Sequence, residues 1–177
     1  MLPLLPPIRV EIEGLGSRWG DVAFGPGDQI LVSEKLRMLF IEAGLVGFVR
    51  FDPVEIKKVK KRRIDLGNPP IYSLASIQRS QAALDGTASG VDRDGEPMCE
   101  ECRTGGIIKR IRRAVLEPNT WSGEDVFFAR GLPGRILVSE RFKRLCEEGD
   151  LTNCSFVAAE VFGFDHYPRN HPEENLH

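Results

Sequence analysis

Ile30-Leu31-Val32-Ser33-Glu34 returns as Ile136-Leu137-Val138-Ser139-Glu140, and this recurrence decides how the chain is read. Upstream, Asp21-Val22 answers to Asp125-Val126, with Trp19 and Trp121 just before them. Downstream, Leu36, Leu39 and Leu45 correspond to Phe142, Leu145 and Leu151 at a constant offset. Residues 20–55 and 123–161 are thus two copies of one design. A unit used twice points to a pseudo-symmetric scaffold built for shape, rather than a catalytic pocket assembled from unlike parts.

Each copy follows the same grammar. In the first, Val22-Ala23-Phe24 is a short strand ended by the Gly25-Pro26-Gly27 turn, and residues 29–32 form the next strand. Ser33 is placed to N-cap a helix, with Glu34 favourable in its first turn. Leu36, Leu39, Phe40 and Ala43 then fall at i, i+3, i+4 and i+7, a single apolar stripe. Gly44 closes the helix, and Phe48 opens another strand. The second copy repeats this, with strands at 126–128 and 136–138, a turn at 131–134, a Ser139 cap and a Phe142, Leu145, Cys146 stripe. Its last strand is expected at 155–162. Strand–turn–strand–helix–strand units that bury one helix face on a mixed sheet predict an α+β fold.

With 177 residues, 41% of them apolar, the chain supplies its own core and reads as a single domain over 1–177. An alternating strand at 8–13 precedes the first copy, and an insert at 56–118 separates the two. Within the insert, 71–77 and 107–116 read as strands, and the Gly/Asp-rich 85–97 as a mobile loop. The tail from His166 is expected to fray. The opening residues lack the basic start and long apolar run of a signal peptide, and nothing approaches the ~20 apolar residues of a membrane span. Four cysteines with one close pair fit a reducing compartment, so a cytoplasmic protein is expected.

Cys99-Glu100-Glu101-Cys102 followed by Gly105-Gly106 is the sharpest chemical motif. Such a turn places two sulfurs on one zinc ion, and the glycines would let backbone N–H groups approach the thiolates. Cys99 and Cys102 are therefore the candidate metal ligands, but they are half of a four-ligand site. Cys146 and Cys154 occupy the places of Phe40 and Phe48 in the repeat, and so read as core residues. No cofactor is expected unless His166 or His171, or a second chain, completes a zinc site. Oligomeric state is not legible.

The insert is basic, with 13 Lys/Arg against 8 Asp/Glu, so the flanks carry −7 of the chain's overall −2. The runs 57–63 and 109–113 could face phosphates, but they lack the interleaved aromatics that single strands stack on. Nucleic acid is the alternative partner, not the expected one. The Gly14-Leu15-Gly16 stretch lacks a following helix and reads as a turn, not a dinucleotide loop. All three histidines fall within the last dozen residues, so no catalytic set is expected. Asp21 and Asp125 read as turn caps beside tryptophans.

The strings Trp-Gly-Asp-Val-Ala-Phe and Ile-Leu-Val-Ser-Glu, with the C-terminal Asp-Val-Phe-Phe and Gly-Asp-Leu-Thr-Asn-Cys-Ser-Phe, resemble the double-CxxCG-motif immunity proteins encoded beside polymorphic toxins. The resemblance spans roughly residues 15–160. It implies a non-enzymatic protein that binds a cognate protein toxin and occludes it. That family carries two C-x-x-C-G knuckles. Here one pair is found, Arg103 stands where its glycine would be, and the upstream pair is expected before residue 1. A nucleic-acid-binding regulator using the basic insert, or a zinc-stapled interaction module, are the alternatives.

Overall fold

The structure is a computed structural model that describes residues 7–14, 17–25, 28–61 and 67–165. In chain order, the alternating segment forms β1 (Ile8–Gly14), followed by β2 (Val22–Phe24) and β3 (Ile30–Ser33). Ser33 then turns the chain into α1 (Glu34–Glu42). Its backbone is extended, and its Oγ accepts the Leu36 N–H at 3.1 Å. That bond satisfies one of the donors a helix start leaves open. Of the stripe, Leu36 and Phe40 are buried and Leu39 half-buried, while Ala43 is the exposed cap. Gly44 follows the Ala43 cap at φ +60, the left-handed conformation glycine adopts without penalty.

β4 (Phe48–Lys61) is far longer than the four residues read as its start, and it carries the basic run up to Lys61 inside a strand. β5 (Tyr72–Ala83) likewise overruns the expected 71–77. β6 (Asp92–Asp94) lies inside the stretch read as a loop and pairs with β7 (Ile107–Ile111). The rest of that stretch is also tied down. Asp85 accepts the Ala88 and Ser89 amides at 2.9 Å, and buried Ser89 exchanges bonds with Val115. β8 (Val126–Arg130), β9 (Ile136–Val138) and α2 (Glu140–Glu148) repeat the first copy's order. Ser139 Oγ accepts the Phe142 N–H at 3.2 Å, and Phe142 and Cys146 are buried.

The expected strand at 155–162 is absent. Ala158 O instead accepts the Val161 and Phe162 amides at 3.1 and 3.0 Å, closing a turn. Val157-Ala158-Ala159-Glu160 has only one β-branched residue, and its Ala-Ala-Glu prefers the helical turn conformation. The next strand is the two-residue β10 (Phe164–Asp165).

These strands make a seven-stranded mixed sheet and a three-stranded sheet, so the fold is α+β. The larger sheet runs β1-β4-β5-β3-β2, with β8 bonded to β5 and β9. The smaller runs β10-β7-β6. β1 and β4 are parallel, while β4–β5, β5–β3 and β3–β2 are antiparallel. No helix among the described residues is long and apolar enough to cross a membrane.

The chain divides into two compact units. The first comprises Met1–Gln78, Gly123–Phe127 and Ile136–Ser155; the second Arg79–Ser122, Phe128–Arg135 and Phe156–His177. The 56–118 insert is therefore shared between them, and both copies of the helix lie in the first unit.

In the first unit, Phe40 meets Phe48 at 4.7 Å and Phe142 at 6.1 Å between ring centres, in tilted and edge-on arrangements. Each such pair contributes about 0.5–1.5 kcal/mol beyond area burial. A second cluster of Ile12, Leu31 and Tyr72 takes Trp19, Val54, Ile56 and Val59 against it. Gly47 is required where it stands. At φ +125, a Cβ there would sit 2.0 Å from the Val126 carbonyl oxygen. The second unit's core gathers Ala82, Ala83, Leu84, Ile111, Phe128 and Leu132, with Leu84 bridged to Leu116.

Candidate functional site

The two recurrent aspartates are joined to the helix caps. Asp21 Oδ1 accepts the Ser33 hydroxyl at 2.6 Å, and Asp125 Oδ1 accepts the Ser139 hydroxyl at 2.6 Å. The second oxygens reach across to the other copy. Asp21 Oδ2 accepts the Thr152 N–H at 2.8 Å, and Asp125 Oδ2 accepts the Val46 N–H at 2.9 Å.

The backbone repeats the crossing. Asp21 N donates to Thr152 O at 3.0 Å, and Asp125 N to Val46 O at 2.8 Å. Val46 follows α1 at the offset at which Thr152 follows α2. Each aspartate thus ties its own helix start to the loop after the other copy's helix. Asp125 is fully buried and also receives Arg141 at 3.3 Å.

Reading these residues as turn caps beside tryptophans was wrong in kind. Trp19 packs in the Ile12 cluster, whereas Trp121 is 47% exposed. The aspartates brace the two copies, and their acceptor oxygens are occupied by protein donors. A proton-transfer role would require giving those bonds up. Only the constant offset in the sequence hinted at this, since Val46 and Thr152 carry no motif of their own.

In the second unit the Cys99–Cys102 turn is formed as a knuckle. The Arg103 N–H donates to Cys99 O at 2.8 Å, the Cys102 N–H approaches Cys99 Sγ at 3.4 Å, and Cys102 Sγ lies 2.8 Å from Thr104 Oγ1. The Thr104 hydroxyl, then Cys99 and the Thr104 backbone, bring the Cys102 thiol down to about 7. A thiolate-prone sulfur beside an N–H directed at its neighbour is how two zinc ligands present themselves. Among the described residues, however, no third His, Cys, Asp or Glu joins them in a metal-sized group. His166, His171 and His177 lie outside the described residues. The described half-site fits two bonds of the four a structural zinc takes.

The glycines after the knuckle have a different purpose from the one read in the sequence. At φ +61, a Cβ on Gly106 would sit 2.3 Å from Asp94 O, and one on Gly105 2.6 Å from Met98 N. They let the knuckle close on itself and onto β6. Arg103 takes φ +52, the conformation a glycine after C-x-x-C would adopt freely. Its guanidinium forks onto both Glu117 oxygens, which holds the Glu117 carboxyl below its ordinary range.

Four residues of the basic runs have a carboxylate partner. Lys57 pairs with Glu55, Lys60 with Glu11 at 3.7 Å, Lys109 with Asp94 at 3.7 Å, and Arg110 with Asp165 at 3.4 Å. Arg62 and Arg63 lie outside the described residues. Lys58, Arg112 and Arg113 have no carboxylate partner among the described residues, so the runs keep part of the positive charge that a phosphate backbone attracts.

Cys146 is buried and Cys154 half-buried, at the positions of Phe40 and Phe48. The bond with Cys154, together with burial, pushes the Cys146 thiol up. It is therefore a packing residue with little thiolate character.

An immunity protein family (Imm11) matches residues 23–161, a span that takes in nearly all of both copies. The chain belongs to that immunity family. No curated protein matches it.

Proposed function

We propose that this protein binds the toxin encoded beside it and occludes it in the cytoplasm, without catalysing a reaction. The family match over 23–161 carries this reading. The bonding of Asp21 and Asp125 supports it, because it commits the recurrent carboxylates to holding a surface in shape. A scaffold made stiff before binding loses less conformational entropy on association. The single C-x-x-C turn is in keeping with a kinship to the double-CxxCG immunity proteins, with Arg103, forked onto Glu117, where the glycine of that knuckle would stand.

Co-expression tests this directly. Cells carrying the neighbouring toxin should grow when this chain is present and arrest when it is absent. Arrest in both cases would contradict the reading. A zinc-stapled interaction module is the second reading, favoured by the Cys102 N–H directed at Cys99 Sγ. It predicts half a zinc per chain in a dimer held by two knuckles, measured as metal content together with mass. Metal-free folded protein would end it.

A further inference from the structure

The second unit contains a pocket of about 280 Å³ whose chemistry the scaffold does not use. Its walls are apolar: Ile111 and Leu132 are almost fully buried, and Phe162 and Phe164 line one side. Two cations face it. The Arg135 guanidinium lies over the Phe162 and Phe164 rings, 5.7 and 5.8 Å from their centres. Arg93 donates to the Gly105 carbonyl oxygen.

In the same unit Arg103, Arg110 and Arg130 each have a carboxylate partner. Arg93 and Arg135, like Arg112 and Arg113, have none among the described residues, and of these four only Arg93 and Arg135 line the pocket. Strand alternation explains why the nearest acids do not serve. Asp92 and Asp94 flank Arg93 in β6 and so point to the opposite face, where Asp94 meets Lys109. Two charges are left at the mouth of an apolar hollow, fixed by a ring stack and a carbonyl. A planar guanidinium held this way is preorganised for a carboxylate fork.

At about 280 Å³ the pocket is at the small end of the roughly 300–1,000 Å³ of ligand sites, room enough for one or two side chains. We infer that the toxin docks here through an acidic–apolar element: a leucine or aromatic side chain against Ile111, Leu132 and Phe164, with an adjacent carboxylate received by Arg93 and Arg135. This rests on the immunity reading above. Buried side-chain anchors are where binding energy concentrates in protein interfaces, and a charge pair adds to them to the extent that docking excludes water from it.

The test has two arms on the full chain. In the first, 4-phenylbutyrate is titrated to about 10 mM, well above millimolar affinity, while amide resonances are followed. The expected result is shifts at Gly106, Ile107 and Leu132, at least tenfold weaker binding of 4-phenylbutylamine, and at least a fivefold loss in Arg135→Gln. Because Arg93 also bonds Gly105, Arg135→Gln carries the test and Arg135→Lys should restore part of the affinity. In the second arm, the neighbouring toxin is bound by the natural chain and by Arg135→Gln, with at least a tenfold loss expected in the variant.

Equal or tighter binding of the amine overturns the proposal. So does a toxin that binds both chains equally, and that result leaves the immunity reading intact. If the natural chain binds no toxin, the immunity reading falls and this docking proposal with it. Retained binding of 4-phenylbutyrate would then reassign the pocket to a free carboxylic acid.

Discussion

Replacing Asp125 removes the best-buried member of the crossed brace. Its side chain is inaccessible to solvent, accepts the Ser139 hydroxyl at 2.6 Å and the Val46 N–H at 2.9 Å, and pairs with Arg141 at 3.3 Å. Asp125→Ala leaves two donors without their acceptor. Each part-buried donor left stranded costs up to about 1–3 kcal/mol, and breaking the charged network around buried Asp125 costs about 3–5 kcal/mol in total. Arg141 adds little because its side chain is 55% exposed. A loss of about 4 kcal/mol is therefore expected, a large share of the roughly 5–15 kcal/mol that holds a typical domain folded.

Asp125→Asn keeps one acceptor oxygen, and the Ser139 hydroxyl can rotate to suit, so a cost of about 1–2 kcal/mol is expected. Ser139→Ala, which removes the cap but leaves Val46 bonded, should cost about 1 kcal/mol. Urea unfolding reads all three, with an unchanged denaturant slope showing that stability alone has moved. If Asp125→Ala costs less than about 1 kcal/mol, or if Asn is as damaging as Ala, the brace is not what holds the copies together.

Gly47→Ala should destabilise by about 3–5 kcal/mol, since its Cβ would meet a backbone oxygen at 2.0 Å, while Gly44→Ala, with open space around it, should cost about 1 kcal/mol; urea midpoints compare them. Cys102, with its thiol at about 7, is about half thiolate at neutral pH, which after allowing for its weaker intrinsic nucleophilicity gives roughly fivefold faster iodoacetamide labelling than an ordinary thiol. Thr104→Val should reduce that advantage, leaving the part that Cys99 and the backbone supply, and peptide mass mapping should find Cys146 unlabelled. Because Arg103 depresses the Glu117 carboxyl, their pairing stabilises the fold above the ordinary carboxylate range and is lost as pH falls through the lowered value. Glu117→Gln should accordingly melt below the natural chain at pH 7, and the gap should close in strong acid.

What the sequence revealed and what it hid divide along range. The helices were legible because their signals are local: a Ser cap, an acidic first turn and a stripe at i, i+3, i+4 fall within nine residues. The cysteine assignment at 146 came from its Phe40 counterpart, and burial at that position agrees with it.

The brace was hidden because its partners are 131 and 79 residues apart, and two of its donors are plain backbone amides. β6 was missed because Asp92-Arg93-Asp94 has no strand-forming residue, and pairing with β7 supplies what propensity lacks. The 155–162 stretch was over-read by projecting the first copy onto the second. The pocket gathers Arg93, Ile111, Leu132 and Phe162 from four separate stretches, so no spacing rule could have found it.

Calorimetric titration of the neighbouring toxin into this chain tests the central claim most directly. A one-to-one complex with nanomolar or tighter affinity, in which the toxin loses its activity at the same stoichiometry, is the expected result. Saturating this chain while the toxin stays fully active, or finding no heat of binding at concentrations in the tens of micromolar, would contradict it.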